Sequence, residues 1–496
     1  MAGGGGGWAA LPEEVDEAIF RALQKSSSQY MPDNGSDPRL VCKGWRRAVD
    51  RHYTTACCPF DTGPMARLWA SKLKTRFPVI KRLALGDPTS SPAPAGMGLE
   101  HVAAAFGDGL EHLAIEELDF SDGDVRALAA HATSLTHLSL RSYKRRDADE
   151  MGSILNAIGR MTSLTTLDLE HLPGWLHRDR DLLALQNLTR LETLKCNLNV
   201  HSAFRRLIPR FALLRELHLG AAKAARGLHP LNQLQHLVEL TVHAPDFLLE
   251  LMKVVATIRP LRKLRLMYPA HRSPVEPAHA YMELRDSRYG QRPPFPVASQ
   301  VSDVSISSTR LGPSVMQNLA RALPGLVKME LRQCLYFAAD LPHLQSIAGL
   351  EELRLCGCRL PPRAADDDLY APGLKGFPAL RKLTATGKGI RALIQDISLL
   401  VPPTLAELTL ASGDEGPLEE ALLVDADDFL QAIRAAPGVA TLSLTGVIRL
   451  IPRSDDSEDE EAATPHAHAA SDLRVALFKA LPRLEKVSIA ELSWTR

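Results

Sequence analysis

The chain has 496 residues, 45% of them hydrophobic, and its 58 basic residues balance 58 acidic ones. A chain with zero formal net charge has no overall field to hold a polyanion or an anionic membrane, so we expect neither nucleic acid nor a membrane as the main partner. The seven cysteines form an odd set without the spacing of a secreted disulfide framework. We therefore expect a reducing compartment, the cytosol or the nucleus.

The first residues of the chain predict a flexible leader. Residues 1–9 are rich in glycine and contain neither a basic segment nor an apolar segment of the kind that a signal peptide requires. Nowhere does an apolar run reach the length of a membrane span, so we expect no transmembrane helix.

Residues 10–55 predict a small helical module. Pro12 suits a first helical turn, because that turn needs no backbone donor there. A polar stretch over 26–38 interrupts the helical spacing, which resumes at Arg39. The apolar side of the two helical segments carries Val15, Ile19, Leu40 and Val41.

The remaining chain, 56–496, repeats a hexad of the form Leu-x-x-Leu-x-Leu, in which other aliphatic residues replace some leucines. The hexads begin at Ile80, Ile115, Leu135, Leu164, Leu191, Leu214, Leu237, Leu261, Val301, Leu326, Leu350, Leu380, Leu405, Val439 and Leu484. Each hexad predicts a short strand that buries its first, fourth and sixth residues and turns its third and fifth residues to one common face. One repeat cannot bury its aliphatic residues alone, so the repeats must stack.

Helical spacing between the hexads completes the pattern of a leucine-rich repeat, which the sequence resembles over most of its length. The segment that starts at Val125 is an example, with apolar residues recurring at three and four. The resemblance implies an α/β fold, a leucine-rich-repeat solenoid with a curved parallel sheet and helices on its convex side. That family places Asn or Cys three residues after the last hexad leucine, and Asn199, Cys334 and Cys358 occupy this position here.

The N-terminal module resembles an F-box. The family's Leu-Pro-x-Glu, Ile-Phe-x-x-Leu and Leu-Val-Cys-Lys-x-Trp-Arg segments match Leu11, Pro12, Glu14, Ile19, Phe20, Leu23, Leu40, Val41, Cys42, Lys43, Trp45 and Arg46. The resemblance implies a substrate-recognition subunit of a Skp-cullin-F-box ubiquitin ligase. A Skp-family adaptor, and through it a cullin, would then bind an apolar face made of Leu11, Pro12, Val15, Ile19, Leu40 and Val41. Such a subunit acts by proximity, so we expect neither enzymatic activity nor a cofactor.

Two alternatives stay open at this point. The N-terminal helices could cap the first repeat, since the end of every solenoid has a core to cover. The whole chain could also be a leucine-rich-repeat interaction scaffold without a role in ubiquitin transfer.

The fifth hexad residues predict where a protein target binds. These positions vary in sign and include many hydroxyl groups, whereas a phosphate track would want Lys and Arg in series. The bulkiest polar side chains lie in the central repeats, so we predict a target-binding surface at Lys195, His218, Arg265, Glu330 and Arg354.

Three long intervals interrupt the repeats, at 267–300, 359–375 and 452–470. The first is rich in Pro and Arg and predicts an excursion from the repeats, and the second predicts a surface loop. The third contains a run of acidic residues that cannot bury apolar area, so we expect it to be disordered. We expect no metal site, because the pairs Cys57-Cys58 and Cys356-Gly-Cys358 lack a second ligand pair at zinc spacing, and Cys57-Cys58 is interpreted as part of a linker.

Overall fold

The computed structural model defines strands, helices and side chains for much of the repeat region. It describes residues 55–58, 74–75, 79–86, 99–116, 120–142, 148–170, 172, 179–196, 202–220, 228–243, 248–267, 282–283, 296–311, 313–336, 344, 346–358, 377–386, 402, 404–411, 422–425, 430, 434, 437–445, 448–451, 475–489 and 492–495. Within these residues, no helix has the length and apolar character needed to span a membrane. The chain divides into two compact units, Met1–Gly220 and Ala221–Arg496.

The first unit is built on parallel strands, one in each repeat. These are β1 Thr55–Cys58, β2 Arg82–Leu85, β3 His112–Ile115, β4 His137–Leu140, β5 Thr166–Leu169, β6 Thr193–Cys196 and β7 Glu216–Leu219. Each strand pairs with the strand of the next repeat, without a shift in register.

Helices connect these strands. They are α1 Leu99–Phe106, α2 Asp122–His131, α3 Ala148–Ile158, α4 Asp179–Leu182 and α5 Ser202–Leu207, with 3₁₀ turns at Gly107–Gly109, Leu183–Asn187 and Ile208–Arg210. Helix α2 starts with a capping box, in which Ser121 and Asp124 satisfy each other's backbone N–H groups. The Asp124 carboxylate also accepts a hydrogen bond from the N–H of Leu99 at 2.9 Å, which joins the starts of α1 and α2.

The second unit continues the same construction. Its main parallel strands are β8 Glu239–His243, β9 Lys263–Met267, β11 Asp303–Ser307, β13 Lys328–Arg332, β15 Glu352–Cys356, β16 Lys382–Thr386, β17 Glu407–Ala411, β19 Thr441–Thr445 and β21 Lys486–Ile489, and the antiparallel β22 Leu492–Thr495 pairs with β21. Its helices are α6 Leu248–Val255 and α7 Pro313–Ala322, with a 3₁₀ turn at His229–Gln233 and helical residues at 475–480.

Short parallel ladders lie beside the main strands of the second unit. One joins β10 Met282–Glu283, β12 Thr309–Leu311 and β14 Leu335–Tyr336, and another joins β18 Leu422–Asp425 to β20 Ile448–Ile451. Strand β10 belongs to the predicted excursion 267–300, so at least this part of the excursion pairs with the following repeats. Most of 267–300, and all of 359–375 and 452–470, lie outside the described residues.

A recurring backbone contact shows that the repeats are built alike. The N–H groups of the second and third hexad residues both donate to the carbonyl oxygen of the second hexad residue in the preceding repeat. For example, Thr136 and His137 donate to the carbonyl of Glu111 at 2.8 and 3.0 Å, and Arg381 and Lys382 donate to that of Glu351 at 2.9 and 3.0 Å. This periodicity, with the register of the strands, confirms the predicted α/β leucine-rich-repeat solenoid.

The aliphatic hexad residues form the core, as predicted. In the first unit, Leu138, Leu167, Leu194 and Leu217 lie in register on consecutive strands and are buried. Leu240 lies in the corresponding row of the second unit, beside Leu264. Burial of a leucine side chain contributes roughly 1.5–3 kcal/mol, so the repetition of this row stabilises the stack.

Two sequence interpretations were wrong. The second hexad begins at Leu110 and not at Ile115, because β3 covers His112–Ile115 and pairs Leu113 with Leu138. The true spacing leaves room for α1 before the strand and for α2 after it. In addition, Cys57 and Cys58 belong to the parallel strand β1 and not to a linker.

The predicted cysteine positions behave as the leucine-rich-repeat pattern implies. The Cys334 thiol donates to the carbonyl of Ile306 at 3.3 Å, and the Cys358 thiol donates to that of Leu331 at 3.2 Å. Both side chains are buried, so each thiol satisfies a backbone oxygen of the preceding repeat. Asn199 lies outside the described residues. The leader 1–9 and the F-box-like module 10–55, except for Thr55, also lie outside them.

Candidate functional site

The candidate site is the strand face that carries the third and fifth hexad residues. Backbone pairing without register shifts places the third residues of successive repeats in one row and the fifth residues in a second row. Strands about 4.8 Å apart bring neighbouring members of a row within reach of each other.

In the first unit, Lys195 and His218 are register neighbours in the fifth-residue row. The His218 ring lies between two carboxylates, with Nε2 at 2.9 Å from Oε1 of Glu216 and Nδ1 at 3.6 Å from Oε2 of Glu170. Lys195 reaches the same Glu216 oxygen at 3.2 Å. The two predicted target-binding residues therefore belong to one ion-pair network.

The network shifts the pKa values of its members. The hydrogen bond from His218, with the charge of Lys195, lowers the pKa of Glu216 to about 2. Burial lowers the pKa of His218, but the hydrogen bonds with Glu170 and Glu216 outweigh burial and raise the pKa above its usual value. Only 8% of His218 is exposed, so its ring mainly holds the two glutamates in place.

In the second unit, the third hexad residues alternate in charge from strand to strand. In register, the row contains Glu239, Lys263, Asp303, Lys328, Glu352, Lys382 and Glu407. Neighbours in the row form ion pairs, including Lys328 with Glu352 at 3.2 Å and Lys382 with Glu407 at 2.7 Å. The row holds four acidic and three basic residues, so these ion pairs neutralise most of its charge.

The predicted residues Arg265, Glu330 and Arg354 lie in the fifth-residue row of the second unit, with Ser305 between Arg265 and Glu330. Arg265 contacts Glu239 at 3.1 Å, and Arg354 contacts Glu352 at 2.6 Å. The two arginine side chains keep 46% and 47% of their surface exposed. They are therefore oriented by the acidic residues and still accessible to a partner.

Glu330 is less accessible than the two arginines. Its carboxylate accepts a hydrogen bond from the hydroxyl of Ser305 at 3.2 Å and contacts Nε of Arg332 at 2.9 Å. Only 19% of its side chain is exposed. Glu330 therefore contributes to the surface mainly by orienting Ser305 and Arg332.

Asp303 is an exception in the charge row. It forms no ion pair with a described residue, because Lys263 contacts Glu239 and Lys328 contacts Glu352. Burial raises its pKa in spite of the nearby cations. For Glu352, burial also acts to raise the pKa, but the hydrogen bonds from Arg354 and Lys328 outweigh burial and lower it.

The thiols near the face have raised pKa values. Burial and the charge of Glu330 raise the pKa of Cys356. The pKa of Cys358 is raised by its hydrogen bond with Cys334 and by burial. Because the thiolate is the nucleophile, these cysteines are suited to packing and hydrogen bonding.

A further polar group near the start of the first unit escaped the sequence analysis. Arg82, His112 and His137 are the third hexad residues of three consecutive repeats and lie in register. The two imidazole rings stack with centroids 3.8 Å apart. The misplaced hexad at Ile115 hid this group, since only the hexad at Leu110 puts His112 beside His137.

The comparisons with known proteins add little to this picture. No protein-family model matches the sequence, and no curated protein matches it. The chain is similar in structure to an internalin from Listeria monocytogenes, with 13% identity over 97% of this chain and 96% of that one and a TM-score of 0.33. It is also similar to TLR13 in a complex with ssRNA13, with 15% identity over 90% of this chain and 54% of that one and a TM-score of 0.42. A leucine-rich-repeat protein from Leptospira interrogans shows 14% identity over 95% of this chain and 98% of that one and a TM-score of 0.37.

These scores are low, so the class of the protein rests on the molecule's own register, backbone contacts and cysteine positions. Those features define a protein of the leucine-rich-repeat architecture. The six predicted adaptor-binding residues, Leu11, Pro12, Val15, Ile19, Leu40 and Val41, lie outside the described residues.

Proposed function

We propose that the protein is the substrate-recognition subunit of a Skp-cullin-F-box type ubiquitin ligase, acting in the cytosol or the nucleus. Its N-terminal module binds a Skp-family adaptor, and through it a cullin, while the repeats hold a protein target. The chain performs no catalysis and requires no cofactor.

The order of two patterns along the chain carries this proposal. The F-box-like residues run from Leu11 to Arg46, and the first repeat strand begins at Thr55. A small apolar module followed directly by stacked repeats suits a subunit that brings a target to an assembled enzyme. The apolar module suits a helical partner, and the repeats offer a wide polar face.

The charge arrangement supports a protein target over a polyanion. In the second unit, cations of the strand face such as Arg265, Arg354 and Lys328 contact acidic neighbours. A phosphate backbone would have to compete with each of these carboxylates. A protein surface with charges of both signs can instead form ion pairs with both the cations and the acids of such a row, which favours selectivity.

The test is co-purification of the full chain with a Skp-family adaptor. Leu11→Asp with Ile19→Asp should abolish co-purification, because two charges would enter a dry interface. The matched control is Val297→Asp with Val475→Asp, whose side chains are 61% and 65% exposed and which should retain the adaptor. Equal recovery of the adaptor with both variants would reject the proposal.

The second candidate is an interaction scaffold without ubiquitin transfer. The stretch 26–38, where an F-box has an Asp-Leu-x-x-Leu segment, favours it. A chain that captures protein partners through its repeats but never the adaptor would be such a scaffold.

A further inference from the structure

Arg82, His112 and His137 form a surface, called here the histidine patch, near the start of the first unit. Strands β2, β3 and β4 place the three side chains side by side in one row. The imidazole planes of His112 and His137 are 22° apart and stack at 3.8 Å. Both histidines are partly exposed and Arg82 is exposed, so the patch is open to a partner.

A chain of hydrogen bonds fixes the proton on His137. The Thr136 hydroxyl donates to the carbonyl of Glu111 at 3.0 Å, so its oxygen accepts from Nδ1 of His137 at 2.8 Å. Neutral His137 therefore carries its proton on Nδ1 and leaves Nε2 as a free acceptor. A proton can reach Nε2 as the pH falls, without breaking either hydrogen bond.

Among the described residues, no acidic side chain forms an ion pair with the patch. Arg82 forms no ion pair with a described residue, and Lys81 occupies Glu111 through a contact of 2.7 Å. From the neighbouring repeats, Thr166 is neutral, and the charge of Glu192 acts on His137 in the same direction as that of Glu111. A partner with carboxylates would supply the missing counter-charge.

Small residues lie beside the patch on the same strand face. Ala84, Ala114 and Ser139 are the fifth hexad residues of the same three repeats and form the neighbouring row in register. Their side chains leave room for an extended segment. In such a segment, alternate side chains point the same way about 7 Å apart, so two carboxylates can reach the row together.

We propose that the histidine patch binds a carboxylate-rich extended segment of a protein partner, and that binding strengthens when the imidazoles take up protons. The proposal deepens the proposed function, since it rests on the repeats being the protein-binding part of the chain.

The electrostatics give the direction of the pH effect. Burial is the largest cause that lowers the pKa of both histidines. The charges of His137 and Arg82 lower the pKa of His112 further, and the charge of Arg82 lowers that of His137. A bound carboxylate attracts the protonated rings and raises their pKa values. By linkage, the same interaction tightens carboxylate binding as the pH falls.

The test uses the full chain and a fluorescein-labelled peptide of alternating Glu and Gly, with binding followed by fluorescence anisotropy at constant ionic strength. The peptide keeps most of its charge at about pH 5.5, because a glutamate pKa is about 4.3. We expect the affinity to rise about tenfold from about pH 7.5 to about pH 5.5, the effect of raising one imidazole pKa by one unit. A Lys-Gly peptide should not bind.

Variants locate the effect. His112→Asn with His137→Asn should remove the pH dependence, while His101→Asn with His131→Asn, on helices α1 and α2, should retain it. Arg82→Gln should weaken binding at both pH values, and Arg126→Gln, which removes a cation from α2, should not. Arg82 is exposed, so its variant tests the site even where the double histidine variant does not fold.

Several results would overturn the proposal. Affinity that is independent of pH, or equal weakening by Arg82→Gln and Arg126→Gln, would place acidic binding elsewhere. Stronger binding of a phosphorylated Ser-Gly peptide of equal charge would reject carboxylates as the preferred ligand. Adaptor co-purification is a separate readout, so its loss with peptide binding retained would reject the ligase role and leave the patch in place.

Discussion

At the scale of single residues, ion pairs decide which charged side chains of the strand face are accessible. Lys195 and His218 were predicted from their hexad position alone, yet both contact Glu216. Arg265 and Arg354 also contact acids but stay about half exposed. An accessible arginine held by an acidic neighbour is better prepared for a partner than a buried histidine, since its side chain is already ordered.

The Glu216 network leads to a prediction about stability and pH. Glu216→Gln removes the negative charge that both Lys195 and His218 contact, and we expect the free energy of unfolding near neutral pH to fall by about 1–3 kcal/mol. The pKa of Glu216 is lowered on folding from 4.5 to about 2. Its stabilisation is therefore fully present above about pH 4.5 and is lost as the pH falls towards about 2.

Urea unfolding at several pH values between about 2 and 7 measures both effects. The variant should be less stable than the parent protein at neutral pH and should show a shallower loss on acidification. The control is Glu192→Gln, because Glu192 is half exposed and lies 3.9 Å from Arg215, so its removal should cost within about 0.5 kcal/mol. Equal losses for the two variants would contradict a special role of the network.

The contribution of His218 to stability depends on pH in the opposite direction. Its pKa is raised on folding, so its stabilisation is present below its unfolded pKa and is lost as the pH rises through the folded pKa. His112 and His137 have lowered pKa values and so oppose folding as the pH falls below the usual histidine range. These contributions partly cancel near neutral pH.

At the scale of elements, neighbouring repeats are tied together by close backbone approach. Gly159 follows helix α3, and its N–H donates to the carbonyl of Leu155 at 2.8 Å. A Cβ at Gly159 would overlap the carbonyl oxygen of Ala184, in the 3₁₀ turn of the next repeat. Glycine therefore sets how closely these two repeats pack.

Gly159→Ala should accordingly lower the free energy of unfolding by roughly 1–3 kcal/mol, the usual cost of overpacking. Thermal unfolding of the full chain would measure the change. Gly109→Ala is the matched control, because a Cβ there meets no atom within 4 Å. A loss as small for Gly159→Ala as for Gly109→Ala would show that the two repeats can move apart at little cost.

At the scale of the whole molecule, the proposed target surface can be tested in the second unit alone. Arg265→Ala with Arg354→Ala removes two accessible cations, and since such exposed ion pairs each contribute about 0–1 kcal/mol the fold should persist. Proximity labelling in cells should lose a set of protein partners and keep the adaptor. Lys382→Ala with Lys486→Ala removes two cations from later third-residue positions of the same unit and should keep those partners. A partner list unchanged by the arginine variant would exclude this surface.

The sequence by itself determined the repeat, the short strands, the aliphatic core and the cysteine positions. These features depend on the residue's place in a local period, and any chain that repeats the hexad must stack to bury it. The period alone therefore aligns Leu138, Leu167, Leu194 and Leu217 in one buried row.

Only the tertiary structure decided that the second hexad begins at Leu110 and not at Ile115. It also decided which charged residues contact each other and which remain accessible. Ile115 belongs to both readings of the hexad, and the choice between them depends on the room that α1 and α2 need. The ion pair of Glu216 with Lys195, and the alignment of Arg82 with His112 and His137, join residues that are distant in sequence. Their strength depends on register, burial and neighbouring charge, and the hexad pattern specifies none of these beyond the face on which each residue lies.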